Sequence, residues 1–113
     1  MDETLRAIAD PTRRAILMLV RDREISAGDI AAHFPAISRP AVSQHLRILV
    51  TAGLIQVRRE GNRRFYRLRP HGLTEAAAFF ETMWSAPLQR LKQAAEHEQH
   101  TPATAEEEPT EPC

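Results

Sequence analysis

The first half of the chain carries apolar residues at intervals of three and four, which is the spacing of amphipathic helices. Asp10 is a good N-cap and Pro11 suits a first helical turn, so together they predict a helix that runs to about Arg23. Its expected core face is Ala15, Ile16, Leu19 and Val20. A shorter helix that carries Leu5 and Ile8 is expected before it.

Two further helices are signalled by serine caps. Ser26, followed three residues later by Asp29, predicts a short helix from about Ala27 to His33. Ser38 caps the next helix, whose apolar residues share one face. That face consists of Val42, Leu46 and Leu49. Gly53 is expected to end this helix, since glycine is favoured just past a helix C-terminus.

Residues 54–68 change to the pattern of two short strands around the turn residues Gly61 and Asn62, which predicts a β-hairpin. From Pro70 to about His97 a helical pattern returns. Its near-heptad stripe is Leu73, Ala77, Phe80, Trp84, Leu88, Leu91 and Ala95. Pro87 lies inside this stretch, so a kink or break is expected close to Ala86. The fold expected is mainly α with a small β-hairpin (α+β).

The 113 residues allow one modest domain, which we expect to span residues 1–100. Residues 101–113 contain Pro, Thr, Ala and Glu but no large apolar residue, so a disordered acidic tail is predicted. No signal peptide is visible, and the longest apolar run is too short for a membrane span. Cys113 is the only cysteine, which excludes internal disulfides and favours a cytoplasmic setting.

The formal net charge of zero hides an uneven distribution. Residues 1–73 carry a charge of +6 and residues 74–113 carry −6. Between Ser38 and Arg69 eight arginines accompany a single acid, Glu60. A local excess of arginine suits a polyanion, because the guanidinium group can bind phosphate or guanine in a bidentate way.

Two helices joined by a tight turn and followed by an arginine-rich hairpin describe a winged helix-turn-helix. Four segments resemble the ArsR/SmtB family of bacterial repressors: Ala9–Arg14, Ser38–Leu46, Ala52–Leu54 and Arg59–Arg63. The chain is most similar to the branch that lacks metal motifs and often represses its own promoter. The resemblance implies a homodimer whose two recognition helices, the helix after Ser38 in each copy, lie in successive major grooves. The C-terminal apolar stripe predicts that the N- and C-terminal helices form the dimer, and the short apolar runs predict no membrane partner. The operator would be palindromic double-stranded DNA.

The residue types support this interpretation. Gln44 can pair with adenine, Arg39 or Arg47 with guanine, and Ala41 can touch a thymine methyl, whereas Ser38, Ser43 and His45 suit phosphates. The predicted DNA-binding residues are Ser38, Arg39, Pro40, Ala41, Ser43, Gln44, His45, Arg47, Arg58, Arg63 and Arg64. The predicted dimer interface is Leu5, Ile8, Phe80, Met83, Trp84, Leu88 and Leu91. The wing arginines could instead protect strand edges, and the C-terminal stripe could pack within one chain.

Three other functions are weighed against this one. The family's thiolate motif would lie within residues 26–34, where no cysteine occurs, so no metal cofactor is predicted. His97 and His100 leave open a nickel- or zinc-responsive repressor. A winged-helix protein-interaction module would lack the arginines on the recognition helix. No arrangement of nucleophile and base and no phosphate-binding glycine loop is visible, so an enzyme is not predicted.

Overall fold

The computed structural model of the protein describes residues 1–99. The expected acidic tail, His100 and Cys113 lie outside the described residues. The elements in chain order are α1 (Asp2–Ile8), α2 (Pro11–Leu19), β1 (Ile25–Ser26), α3 (Ala27–Ala32), α4 (Arg39–Thr51), β2 (Ile55–Glu60), β3 (Arg63–Leu68), a 3-10 turn (Pro70–Leu73) and α5 (Thr74–Gln99).

The predicted caps begin the helices as expected. The Asp10 carboxylate accepts the backbone N–H of Arg13 at 3.0 Å. The Ser26 hydroxyl accepts the N–H of Asp29 at 3.1 Å, and the Ser38 hydroxyl accepts the N–H of Ala41 at 3.2 Å. Each bond satisfies one of the backbone donors that a helix N-terminus leaves without an internal partner.

The first long helix is shorter than its pattern predicts. It ends at Leu19, and the carbonyl of Val20 accepts the backbone N–H of Leu68 at 3.0 Å. The expected end near Arg23 was wrong because this contact with β3 takes the chain out of the helix. Ile16 and Val20 are buried as predicted, but Ala15 is exposed.

The hairpin is present, and a third strand joins it. Strands β1, β3 and β2 lie in that order in an antiparallel sheet. The predicted turn lies between Glu60 and Arg63, which face each other, and Gly61 has a φ of +61°. The two residues of β1 are too few to show an alternating pattern, so they were not predicted. They form a strand only because β3 supplies the hydrogen-bonding partner.

The end of α4 is fixed by the glycine that the sequence indicates. Gly53 has a φ of +78°. Its N–H donates to the carbonyl of Val50 at 2.9 Å, and the N–H of Leu54 donates to the carbonyl of Leu49 at 3.0 Å. This pair of bonds is the Schellman motif, which needs a left-handed residue at the glycine position. The motif directs the chain from α4 into β2.

The core lies between α2, α3, α4 and the start of the hairpin. Its largest fully buried side chains are Ile16, Val20, Ile30, Leu49, Leu54 and Ile55. Val42, Leu46 and Leu49 of α4 are at most 3% exposed, which confirms the predicted apolar face. Burial of one such side chain contributes roughly 1.5–3 kcal/mol. This packing fixes the rotation of α4 about its axis, so its other face points outward.

The described residues divide into two compact units, residues 1–77 and residues 78–99. The second unit is the helical segment 78–99, which continues α5. Of the kink or break expected close to Ala86, the break is wrong, since α5 runs through Pro87 without interruption, and the kink stays a prediction. Proline removes one backbone donor, and the rest of a 26-residue hydrogen-bond ladder keeps the helix continuous. Among residues 1–99, no helix is both long and apolar enough to cross a bilayer.

Candidate nucleic-acid interface

The outward face of α4 presents polar side chains in two helical turns. Arg39, Ser43, Gln44 and Arg47 are all exposed, and so are Ser38 and Pro40 at the start of the helix. Ala41 is half-buried. The burial of Val42, Leu46 and Leu49 on the opposite side produces this arrangement, because residues three and four apart share a helix face.

Two of these side chains bind each other. A guanidinium N–H of Arg47 donates to the side-chain carbonyl of Gln44. A carbonyl oxygen has two lone pairs, and the Gln44 amide nitrogen keeps both its donors, so the pair can still present donors and an acceptor outward. The contact with Arg47 therefore orients the Gln44 side chain and leaves it groups that can still form hydrogen bonds outward.

His45 was predicted to contact phosphate, but the structure places it against α2. It is half-buried, with Nδ1 3.2 Å from Nη1 of Arg13 and 4.0 Å from Oδ2 of Asp10. Arg13 in turn donates from Nε to the carbonyl of Ala7 at 2.7 Å. The recognition helix is thus tied to the start of α2 and the end of α1, and a phosphate contact by His45 stays a prediction.

The hairpin has two faces with different arginines. Arg59 and Arg64 are opposite each other in the register, and they share a face with Val57 and Tyr66. This face borders a cleft of about 210 Å³ that Ser43 and Arg47 of α4 also line. We define these two arginines as the inner wing arginines. Arg59 was not among the predicted DNA-binding residues, although strand alternation and the turn position place it opposite Arg64.

A second cleft lies at the tip of the hairpin. It has a volume of about 570 Å³, and its polar lining combines three elements. Arg39 comes from the first turn of α4, Arg63 and Arg64 come from β3, and Ser26 and Asp29 come from the start of α3. Three guanidinium groups from two separate elements therefore surround one open space.

Arg58 was predicted to contact DNA, and the structure shows it engaged within the wing. Its Nε and Nη2 donate to the two carboxylate oxygens of Glu24 at 3.0 and 2.9 Å, and its Nη1 donates to Glu60 at 2.8 Å. The Glu24 carboxylate, and then that of Glu60, raises the pKa of the Arg58 guanidinium. The Arg58 donor in turn lowers the pKa of Glu24. Two carboxylates thus compensate the charge of Arg58.

The arginines that border the two clefts have fewer acidic partners than Arg58 has. Within residues 1–99, Arg39, Arg59 and Arg64 form no ion pair with an acid. Arg59 and Arg64 are like charges opposite each other on one sheet face, an arrangement that a bound anion would stabilise. A groove lined by fixed cations beside an exposed polar helix suits a phosphate backbone.

The comparison with known proteins decides the family. A model described as "Bacterial regulatory protein, arsR family" matches residues 10–57. The chain is 39% identical over 97 residues to the HTH-type transcriptional regulator Rv2034 of Mycobacterium tuberculosis, a match that covers 86% of this chain and 90% of that protein. The chain belongs to the ArsR family.

Other ArsR-family relatives agree in sequence and in fold. The transcriptional repressor SdpR of Bacillus subtilis is 47% identical over 68 residues, covering 60% of this chain and 74% of that protein. The crystal structure of a possible transcriptional regulator for arsenical resistance aligns with a TM-score of 0.67 and 43% identity, over 81% of this chain and 95% of that one. The predictions of a winged helix-turn-helix and of an ArsR-family DNA-binding transcriptional regulator are confirmed.

The residues predicted for dimer formation lie in two places. In this ArsR-family protein Leu5 and Ile8 of α1 are half-buried, and Ile8 packs against the core. The others lie on α5 and are exposed, with values of 46% for Phe80, 47% for Met83 and Trp84, 55% for Leu88 and 67% for Leu91. The predicted interface on α5 is therefore an accessible apolar surface.

The residues considered for a metal site are not gathered together where the structure describes them. Residues 1–99 contain no group of three or more His, Cys, Asp or Glu side chains that could hold a metal ion. His97 lies near the end of α5 and is exposed, and its predicted partner His100 falls outside this range. The described geometry gives the metal-responsive alternative no support.

Proposed function

We propose that this ArsR-family protein is a homodimeric repressor that binds a palindromic operator, including one in its own upstream region. The observation that carries the proposal is the set Arg39, Arg59 and Arg64, which forms no ion pair with an acid among residues 1–99 and borders the clefts beside the exposed face of α4. Both features lie on surfaces accessible to a large ligand. A protein that acts on a bacterial chromosome works in the cytoplasm, so the proposal includes that location.

The exposed face of α4 and the arginines that border the clefts have different roles in DNA recognition. Gln44, oriented by Arg47, reads base edges in the major groove, where a good bidentate pair discriminates by roughly 1–3 kcal/mol. Arg39 and the inner wing arginines bind phosphates, which fixes the register of the helix without reading sequence. The proposal adds Arg59 to the DNA-binding residues and assigns Arg58 to the structure of the wing.

A second copy of the chain covers the apolar surface of α5. Exposed contiguous patches of this kind mark interaction sites in proteins that are otherwise polar. A two-fold axis between two copies presents two α4 helices to DNA, so the operator half-sites are about one helical turn, or a multiple of it, apart.

Selection of genomic fragments by the purified protein identifies the operator, and a promoter reporter distinguishes repression from activation. We expect Arg64→Ala to weaken binding to all sequences similarly and to reduce the salt slope by about 0.9, the value for one lost phosphate contact. Gln44→Ala should instead relax base preference. Arg67→Ala is the matched control, because it removes the same charge from the same strand but from the opposite sheet face.

Three results would contradict this account. Operator affinity that does not change between low and physiological salt would remove the role of the phosphates. An Arg67→Ala loss as large as that of Arg64→Ala would show that only total charge matters. Identical sequence profiles for Gln44→Ala and Arg64→Ala would remove the division between base reading and positioning.

A further inference from the structure

The outer face of the wing carries a compact cluster of charged and aromatic side chains. Phe65 lies in the middle strand β3, with Ser26 opposite it in β1 and Arg58 opposite it in β2. The Arg58 guanidinium lies 4.7 Å from the centre of the Phe65 ring, and that of Arg63 lies 4.9 Å from it. Both distances fall within the range of cation–π attraction.

The cluster connects the two edges of the sheet. Arg58 crosses the Phe65 ring and reaches Glu24, the residue before β1, through two hydrogen bonds of 3.0 and 2.9 Å. A planar guanidinium bound side-on to a carboxylate fixes orientation as well as distance. The contact therefore joins β2, the strand farthest from β1 in the sheet order, to the residue that precedes β1.

The contact between Arg58 and Glu24 matters because of where β1 lies in the chain. β1 has only two residues, and its second residue, Ser26, is also the N-cap of α3. The backbone pairing between β1 and β3 involves just two residue pairs, Ile25 with Tyr66 and Ser26 with Phe65. The hairpin is also held by the hydrogen bond between Leu68 and Val20 and by the burial of Ile55 and Tyr66. The contact between Glu24 and Arg58 adds a side-chain restraint beside the two-residue pairing of β1.

We propose that Glu24 is a positioning residue for DNA binding, which through Arg58 and Phe65 holds the wing at the angle that directs Arg59 and Arg64 at the DNA backbone. The inference rests on the proposed function, since it requires that the inner wing arginines bind phosphate. The sequence predicts that Arg58 contacts DNA, whereas in this proposal Arg58 holds the wing in position. The trio of Glu24, Arg58 and Glu60 carries a formal charge of −1 and cannot itself attract phosphate.

A positioning role for Glu24 and a purely electrostatic model predict opposite effects of Glu24→Gln on DNA affinity. Glu24→Gln makes the protein more positive by one unit and frees Arg58, so an electrostatic model expects tighter DNA binding and a steeper salt dependence. If Glu24 positions the wing, the same change weakens operator binding by about two- to fivefold, the range expected from an exposed, well-oriented ion pair. The amides of β2 and β3 should also exchange hydrogen faster.

Glu60→Gln is the matched control. Glu60 touches the same guanidinium at 2.8 Å, but it lies in the same strand as Arg58 and so connects no second element. It carries the same charge change, and we expect operator affinity to be unchanged or tighter and amide exchange in the wing to be unaffected. Arg58→Lys keeps the charge but loses the side-on geometry, so it should weaken binding as Glu24→Gln does.

The experiment measures operator affinity, salt slope and amide exchange for the full chain and these variants, at a temperature where circular dichroism shows each to be folded. The double variant Glu24→Gln with Arg58→Lys should be no weaker than either single variant, because both remove one contact. Tighter or unchanged binding by Glu24→Gln, or additive losses in the double variant, would overturn the positioning role.

The Arg64→Ala variant distinguishes failure of this inference from failure of the proposed function. If Arg64→Ala weakens binding while Glu24→Gln does not, the inner wing arginines bind DNA and Glu24 has no part in aiming them. If Arg64→Ala binds as well as the unaltered protein, the proposed wing contact itself is wrong, and the positioning role is overturned with it.

Discussion

Asp10 contributes to the structure through two contacts. Its carboxylate accepts the backbone N–H of Arg13 at 3.0 Å and lies 4.0 Å from Nδ1 of His45 on α4. The Arg13 N–H is the largest of the effects that lower the pKa of Asp10 below its ordinary value of 3.8. A carboxyl whose pKa is lower in the folded state stabilises the fold above its ordinary pKa, and this contribution is lost as the pH falls toward the folded value.

The free energy of unfolding should therefore fall on acidification below about pH 4, in part through Asp10. Asp10→Asn keeps a capping oxygen but cannot titrate, so we expect near-normal stability at low pH and a flatter profile between about pH 5 and about pH 3. Asp10→Ala should lose about 1 kcal/mol because the cap itself is gone. Urea unfolding across this pH range tests both, and an Asp10→Asn profile as steep as that of the unaltered protein would contradict the assignment.

The starts of the helices could be predicted from single residues. A cap depends on a side chain and a backbone N–H three residues away, so Ser26 and Ser38 act through contacts that the sequence itself specifies. His45 and Arg58 were harder to interpret. Their partners are Arg13 and Glu24, which lie 32 and 34 positions away along the chain, and only folding brings them together.

At the scale of elements, the end of α4 decides where the wing begins. The left-handed Gly53 and the two hydrogen bonds of its Schellman motif turn the chain from the recognition helix into β2. A Cβ at position 53 would lie 3.3 Å from Nη1 of Arg69, the far end of a long side chain that can move aside. The requirement for glycine is therefore mainly conformational rather than steric.

Gly53→Ala should destabilise the protein by about 1–2 kcal/mol, the cost of a left-handed alanine. Gly28→Ala is the control. Gly28 lies in the first turn of α3, where an added Cβ would meet no heavy atom within 4 Å, so it should tolerate alanine or gain up to about 1 kcal/mol from it. Denaturant unfolding measures both, and equal losses at the two positions would show that loss of glycine flexibility in general, not the Schellman motif, sets the cost.

In the molecule as a whole, most of the large apolar side chains that are exposed among the described residues lie on α5. Trp84 and Met83 are each 47% exposed, and Leu91 is 67% exposed. The C-terminal stripe that the sequence shows, apart from Leu73 in the preceding 3-10 turn, thus lies on one continuous helix, with Pro87 inside it. Covering this surface with a second copy removes its apolar area from water, which favours association.

Trp84→Ala should shift the protein toward monomer and lower its affinity for the full palindrome, because two linked half-site contacts become one. Gln93→Ala, on the opposite face of α5 by helical periodicity, is the matched control and should remain dimeric. Sedimentation velocity and operator titration measure the two effects. A stable Trp84→Ala dimer would place Trp84 outside the interface between the copies.

Local chemistry determined much of this protein directly from its sequence: the caps at Asp10, Ser26 and Ser38, the buried face of α4, the hairpin turn at Gly61, and the family. The caps, the buried face and the turn each depend on residues within a few positions of one another, and the family depends on four short segments taken together. The tertiary structure alone decided where α2 ends, that β1 exists, that Arg59 and Arg64 face the helix, and that Arg58 is bound by Glu24. Those features depend on strand pairing between distant segments, and pairing selects which face of the wing each arginine occupies.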